Sequence, residues 1–148
     1  MLQQTPHDRI GRLIQQVGRS WRRALDQRLQ PLGLTDATWL PLLYLHRVGP
    51  VKQVELADYL GLDRSSVVRL VDTLAAQGLV ERRDDPSDRR VKRVQLTDQA
   101  APLVRAARAE ADGLRADVLG GIDNQALVGA ERVMLDILSR LPGGEGAK

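Results

Sequence analysis

The stretch that decides the fold is VELADYLGLDRSSVVRLVDTLAAQGLVERRDDPSDRRVKRVQLT, residues 54–97. Its apolar residues first recur at helical spacing in two short runs, which are separated by Gly61. Further along, apolar and charged residues alternate as they do in strands. The segment is therefore predicted to form two short helices joined by a tight turn, followed by two strands joined by a long charged loop.

The second of these helices carries the clearest signals. Asp63 is a good N-cap, because its carboxylate accepts hydrogen bonds from first-turn N–H groups, and Gly78 is expected to end the helix. A buried face is predicted from apolar residues at i, i+3, i+4 and i+7, namely Val67, Leu70, Val71 and Leu74. The opposite face carries Ser65, Ser66, Val68, Arg69, Asp72 and Ala76. Such a face suits a helix that lies against DNA bases, where Val68 can meet a thymine methyl, although a single exposed Val is also common.

The helix before it is predicted over residues 53–60. Val54, Ala57 and Leu60 share one face, and Ala57 is small enough to let the two helices cross closely. Gly61 fits the turn between them. Helix pairs of this size also occur in proteins that bind no nucleic acid, so the pair alone leaves the function open.

The second half of the stretch resolves that question. Residues 79–83 and 91–96 are predicted to be strands, and the DDPSDRR segment between them is too long for a two-residue turn and too charged to be buried. Taken alone, this segment is typical of a solvated loop whose charges neutralise one another. Beside a capped helix with a polar face, it is better explained as a wing that contacts the DNA backbone or minor groove. The predicted fold is mostly α with a small antiparallel β-hairpin wing, a winged helix-turn-helix.

The acidic residues of the wing have two interpretations. Asp88 is close enough in sequence to pair with a nearby Arg and hold the wing in shape. A metal site made from Asp84, Asp85 and Asp88 is the alternative, but the adjacent arginines would compete for these carboxylates. We therefore expect no metal site and no cofactor.

These residues carry a family resemblance. The ELA of residues 55–57, the VxRLVDxL of residues 67–74, the GLVERR of residues 78–83 and the DPxDRR of residues 85–90 resemble the MarR family of bacterial winged-helix regulators. The resemblance extends over about residues 10–140 and is most specific over residues 53–97. It implies an obligate homodimer that binds a pseudo-palindromic operator, usually as a repressor, and that often responds to small aromatic or phenolic ligands.

The resemblance also implies which residues contact DNA. In the recognition helix these are Ser65, Ser66 and Arg69, and in the wing they are Asp88, Arg89 and Arg90. The full predicted DNA-binding set is Gln53, Ser65, Ser66, Val68, Arg69, Arg82, Asp88, Arg89 and Arg90. Many members have a Thr in place of Val68 and another in place of Lys52, so the preferred bases need not be the usual ones.

Length and composition are compatible with this interpretation. The chain has 148 residues, 43% hydrophobic and 28% charged, with a net charge of +3. We predict dimerisation helices over residues 1–34 and 98–141, the DNA-binding domain over residues 35–97, and a disordered tail over residues 142–148. The chain has no Cys, which excludes disulfides and thiol sensing. No membrane span or signal peptide is recognised, so a cytoplasmic location is expected.

The flanking segments predict four further features. A long amphipathic helix begins near Pro6 and Asp8 and ends before Pro31, and another is capped by Thr35. Pro41 is expected to bend that helix or to displace its first turn. Thr97 can cap the helix after the wing, although Pro102 is expected to move its start a few residues later, with Gly120 and Gly121 ending it. A final helix over about residues 124–140 has a broad apolar side, which we expect in a dimer interface.

Enzymatic function finds little support, because neither His belongs to a metal or nucleophile motif and no phosphate-binding glycine pattern is present. The aromatic residues are more often core than ligand contacts, yet Trp21 and Trp39 are candidates for a ligand cleft that the resemblance implies. The main competing hypothesis is a protein-interaction module that keeps the winged fold but has lost specific DNA binding.

Overall fold

The computed structural model describes residues 5–142. The order of elements is α1 (Pro6–Leu29), a short 3₁₀ turn (Gln30–Leu32), α2 (Asp36–Val48), β1 (Val51–Lys52), α3 (Gln53–Leu60), α4 (Arg64–Ala76), β2 (Val80–Asp84), β3 (Lys92–Leu96), α5 (Ala100–Leu119) and α6 (Asn124–Arg140). The predicted fold class, mostly helical with a small antiparallel sheet, is confirmed. The predicted tail beyond residue 142 lies outside the described residues.

The sheet has three strands rather than the two that were predicted. Its order is β1-β3-β2 and both pairings are antiparallel, with Val51 opposite Val94 and Arg83 opposite Arg93. β1 has only two residues, which is too short to show any alternation in sequence. It exists because the fold brings residues 51–52 beside β3, and it connects the end of α2 to the wing.

Two helix starts follow the capping signals. Thr5 and Thr35 each accept a hydrogen bond from the third helical residue, whose side chain accepts one from the backbone N–H of that Thr. The first turn of α2 is therefore not displaced, contrary to one of the two expectations for Pro41. The helix runs without interruption through Pro41, which is buried inside it.

The start of α5 differs in detail from the prediction. The hydroxyl of Thr97 donates to the carbonyl of Gly78 at 2.6 Å and ties the end of β3 to the end of α4, so this side chain does not cap α5. α5 begins three residues later, at Ala100. Pro102 is then the third residue of the helix, where the absent N–H costs no intrahelical hydrogen bond. The end at Leu119, before Gly120, is as predicted.

The hydrophobic core lies where α1, α2, α3, α4, α5 and the sheet meet. Side chains that are almost fully buried include Leu29, Leu34, Trp39, Leu42, Leu45, Leu56, Val67, Val71, Leu74, Val94, Val104 and Leu114. Of the three residues expected to share one face of α3, Ala57 is buried and Leu60 half-buried, but Val54 is 45% exposed and Leu56 is buried instead. A helix of eight residues offers too few apolar positions to fix its inward face from sequence alone.

The chain forms two compact units, divided between Leu114 and Arg115. The first contains the core described above. The second contains the end of α5 and α6, and no side chain of α6 is buried. Within the described residues, no helix combines the length and apolar character that a membrane span requires.

Candidate nucleic-acid interface

The N-terminus of α4 is fixed by Asp63, as predicted. Its carboxylate accepts from the Ser66 backbone N–H at 2.7 Å and from the Ser65 hydroxyl at 2.9 Å. The Ser66 N–H, followed by the Ser65 hydroxyl, holds the pKa of Asp63 below its usual value. Because the Ser65 hydroxyl donates its hydrogen bond to Asp63, the Ser65 oxygen can act only as an acceptor toward other groups on the exposed side of the helix.

The exposed face of α4 carries most of the residues predicted to read bases. Ser65, Val68 and Arg69 are exposed, Val68 by 37%, and Ser66 is half-buried. Within residues 5–142, Arg69 has no ion pair that would neutralise its guanidinium. This face therefore combines a hydroxyl, a methyl surface and an exposed cation, which are the groups that recognise base edges in the major groove.

A basic groove of about 480 Å³ lies beside this face. It is lined by Lys52, Gln53 and Val54 at the start of α3, by Arg64, Val67 and Val68 of α4, and by Arg90, Val91 and Lys92 of the wing. Four of these nine residues are cationic and none is acidic. A concave surface with this charge attracts the phosphate backbone of nucleic acids.

The wing is anchored by Asp85, which is only 3% exposed. Its carboxylate accepts from the Ser87 hydroxyl at 2.5 Å, the Ser87 N–H at 2.9 Å and Arg93 Nε at 2.5 Å. The Ser87 hydroxyl and then Arg93 hold the pKa of Asp85 far below its usual range. Sequence reasoning had assigned Asp85 only to an alternative metal site and missed this role. The Asp-Pro-Ser sequence, which is typical of a side-chain-stabilised turn, was the available signal.

The tip of the wing carries two arginines, of which Arg90 forms an ion pair and, among the described residues, Arg89 does not. Asp88 accepts from the Arg90 backbone N–H at 3.0 Å and from Arg90 Nε at 3.1 Å, so the predicted pairing of Asp88 with a nearby Arg is confirmed. These bonds, the side-chain one first, lower the pKa of Asp88. Arg89 is exposed and has no ion pair within the part of the chain that the structure describes. Arg89 is thus the uncompensated cation of the wing.

Each carboxylate of the alternative metal site has a cationic partner. Lys92 pairs with Asp84, Arg93 with Asp85 and Arg90 with Asp88. Among residues 5–142, no cluster of three or more His, Cys, Asp or Glu side chains is placed to hold a metal ion.

Arg82 and Gln53 belong to the predicted DNA-binding set, and the structure brings them together. Arg82 Nε donates to Gln53 Oε1 at 3.1 Å, and Arg82 also pairs with Asp72 of α4 at 2.7 Å. The Arg82 side chain is 29% exposed, less than that of any other arginine whose ion pair is described above. Its guanidinium therefore lies against α3 and α4, whereas Arg69 and Arg89 are exposed and form no ion pair within residues 5–142.

The two tryptophans occupy different environments. Trp39 is 3% exposed and belongs to the core, and Trp21 is half-buried against it. A separate depression of about 820 Å³ is lined by Ile14, Gln15, Gly18, Arg19, Arg22, Arg23, Asp26, Gln27, Gln30, Leu34 and Thr35. Neither tryptophan is part of its lining. Contact of Trp21 or Trp39 with a ligand remains a prediction.

Comparison with known proteins identifies the family. The sequence profile of the MarR family matches residues 32–91. A MarR-family transcriptional regulator from Rhodococcus sp. RHA1 is 31% identical in sequence, with a TM-score of 0.75 over 91% of this chain and 96% of that one. This chain belongs to the MarR family. The resemblance noted in the sequence is thereby confirmed.

Two further solved MarR-like structures are informative because of what they contain. CouR from Rhodococcus jostii RHA1, bound to p-coumaroyl-CoA, is 33% identical with a TM-score of 0.76, over 91% of this chain and 95% of CouR. A cysteine-to-serine mutant of MarR from E. coli, in complex with operator DNA, is 27% identical with a TM-score of 0.80, over 87% of this chain and 93% of that one. The family and these neighbours support a DNA-binding transcriptional regulator.

Proposed function

We propose that this MarR-family protein is a homodimeric, sequence-specific repressor of transcription. The observation that carries the proposal is the juxtaposition of the exposed α4 face, with its exposed Arg69, and the basic groove that leads to the wing. The α4 face has the chemistry of base recognition and the groove that of phosphate binding. Specific binding to an operator needs both base recognition and phosphate binding. We expect this binding to take place in the cytoplasm.

The geometry of such a complex follows from B-DNA. Each α4 would enter a major groove, and the two recognition helices of a dimer would be spaced by about one DNA turn, roughly 34–36 Å. The operator is then an inverted repeat whose half-sites mirror the two-fold axis of the protein. Arg89 and Arg90 would contact the flanking minor groove or phosphates.

The exposed apolar residues of α6 support dimerisation. Val128, Val133, Met134, Leu135 and Leu138 are each at least 42% exposed in the single chain. Helices in proteins are stabilised mainly by packing of an apolar face, and no side chain of this 17-residue helix is buried in the single chain. A second copy of the chain would bury these side chains. We assign the N-terminal segment (residues 1–34) and the C-terminal segment (residues 98–141) to the dimer interface, and residues 35–97 to DNA binding.

Regulation by a small aromatic or phenolic ligand is the second part of the proposal. The depression along α1 contains Arg19 and Arg23, which would attract an anionic ligand, and apolar contacts from Ile14 and Leu34. The complex of CouR with an aromatic thioester gives this class of ligand a precedent in a related protein. Binding there would change the separation of the two recognition helices and release the operator.

The proposal is tested by selection of sequences from a random duplex pool with the purified protein. We expect enrichment of an inverted repeat with half-sites about 10 base pairs apart and a steep decrease of affinity with salt. The competing interaction module predicts weak affinity that does not depend on sequence, and a partner complex that tolerates loss of Arg69, Arg89 and Arg90. Absence of any enriched sequence would favour that module.

A further inference from the structure

Arg82 contacts three residues of the two helices α3 and α4 through one guanidinium group. Nε donates to Gln53 Oε1 at the start of α3 at 3.1 Å, Nη1 pairs with Asp72 of α4 at 2.7 Å, and Nη2 donates to the backbone carbonyl of Val68 at 3.3 Å. Arg82 itself lies on β2, the first strand of the wing. It thus links the wing strand to both helices of the helix-turn-helix.

The contact with Gln53 determines how that side chain is oriented. A guanidinium N–H can only donate, so the atom of Gln53 that faces Arg82 must be the carbonyl oxygen and not the amide nitrogen. The two N–H groups of the Gln53 amide then point away from Arg82. Gln53 lines the basic groove together with Lys52, Arg64, Arg90 and Lys92. An anion that these cations attract into the groove can therefore accept a hydrogen bond from the Gln53 amide.

We propose that Arg82 is a positioning residue and that Gln53 is the residue it positions, as a donor to a DNA phosphate in the basic groove. Arg82 makes no DNA contact of its own. It holds α4 at a fixed distance from the wing through Asp72 and the Val68 carbonyl, and it orients the Gln53 amide through a single hydrogen bond. This inference rests on the proposed function and assigns different roles to two residues of the predicted DNA-binding set.

The two roles have different consequences for affinity. A phosphate contact carries no sequence information, so loss of the Gln53 donor weakens binding to operator and to random DNA by similar factors. A positioning contact affects the fit of α4 to the bases, so loss of Arg82 weakens operator binding more than random binding. Since Arg82 releases no counterion, its loss leaves the slope of log K against log salt unchanged.

The experiment measures operator affinity, random-DNA affinity and salt slope for Gln53→Glu, Gln53→Met, Arg82→Met and the double variant Gln53→Met/Arg82→Met. Glu at position 53 still accepts from Arg82, so the fold is kept, but it presents no donor to the phosphate. We expect Gln53→Met, which removes the donor without adding a charge, to lower both affinities by about tenfold, the loss of one hydrogen bond to a charged group. Gln53→Glu should lower both affinities further, because its carboxylate also repels the phosphates. Arg83→Met, which removes the same charge from the next residue of β2, is the matched control.

A double-mutant cycle separates positioning from a purely structural role. If Arg82 acts on phosphate binding through Gln53, Arg82→Met lowers random-DNA affinity in the wild-type background but not in the Gln53→Met background. Additive effects on random-DNA affinity, a decrease of the salt slope by about one in Arg82→Met, or unchanged affinities in Gln53→Met would each overturn the proposal. If Arg82→Met fails to fold, the Gln53→Met result still decides the role of Gln53. Failure of the wild-type protein to select any operator would instead contradict the proposed function.

Discussion

Arg93 Nε lies 2.5 Å from Asp85 Oδ2, and this ion pair links the start of the wing loop, just after β2, to β3. Arg93 Nη1 also donates to the carbonyl of Pro50 at 3.4 Å, just before β1. Through Arg93, the wing loop is therefore held against β3 and against the segment that leads into α3. An anchored loop loses less conformational entropy when it contacts DNA than a free one does.

Replacement Asp85→Asn tests this anchoring. The amide keeps the size of the side chain but removes the negative charge that Arg93 and the Ser87 hydroxyl stabilise. We expect a lower melting temperature and weaker binding to every DNA sequence, because the wing is no longer held in its binding conformation. Asp84→Asn is the control, since it breaks the exposed pair with Lys92 on the neighbouring residue. Equal effects of the two replacements on affinity would mean that burial of Asp85 does not matter.

The depressed pKa of Asp85 also predicts how stability depends on pH. A carboxylate whose pKa is lower in the folded state binds fewer protons folded than unfolded, so it stabilises the fold above the ordinary Asp pKa of about 3.9. That contribution is lost as pH falls through this value toward the folded pKa. Melting temperatures of wild type and Asp85→Asn, measured between about pH 7 and pH 3, should converge toward the acidic end. A constant difference over this range would contradict the linkage.

Base recognition is expected to depend on Arg69. Its guanidinium is exposed on α4 and has no ion pair within residues 5–142, so it is free to donate to a guanine. Arg69→Ala should weaken operator binding by about 1–3 kcal/mol and relax the preference at one base position. Competition titrations with operators substituted at single positions would measure this change. If affinity for all sequences decreased equally, Arg69 would be a phosphate contact instead.

The sequence predicted the helix-turn-helix well because its signals are local. The Asp63 cap, the apolar spacing from Val67 to Leu74 and the turn at Gly61 depend on residues that are close in the chain, and all three are present in the structure. The Asp88–Arg90 pair was likewise predictable from a separation of two residues.

The features that sequence analysis missed depend on contacts between distant residues. β1 exists only through its pairing with β3, and Arg82 meets Gln53 across 29 positions of sequence. Arg82 belongs to the predicted DNA-binding set, but its charge did not reveal that it contacts Gln53 and Asp72 within the protein. The same reason explains Asp85, whose partner Arg93 is eight residues away across the wing.

The wing arginines should differ in a measurable way. Arg89 is free, whereas Arg90 is already paired with Asp88. Both Arg89→Ala and Arg90→Ala should weaken all DNA sequences similarly and lower the salt slope by about one. Arg90→Ala should cause the larger loss, because it leaves the Asp88 carboxylate uncompensated beside the phosphates. The double variant Asp88→Ala/Arg90→Ala controls for that charge and should recover part of the affinity. No recovery would show that Asp88 has no such effect.

Dimerisation is expected to depend on the exposed apolar residues of α6. Leu138 is 42% exposed and no side chain of this helix is buried, so Leu138→Glu places a charge where the single chain has no packing to lose. Introduced into a dimer interface, the same charge would be desolvated without a partner, which is strongly unfavourable. We therefore expect Leu138→Glu to yield monomers in sedimentation equilibrium, with retained helix content by circular dichroism.

Binding to an inverted repeat should decrease far more than binding to a single half-site, because only the dimer engages both halves at once. Ser139→Glu, which adds the same charge one residue further along the helix, controls for charge alone. If Leu138→Glu kept the mass of a dimer, Leu138 would lie outside the interface and the proposed role of α6 would be wrong.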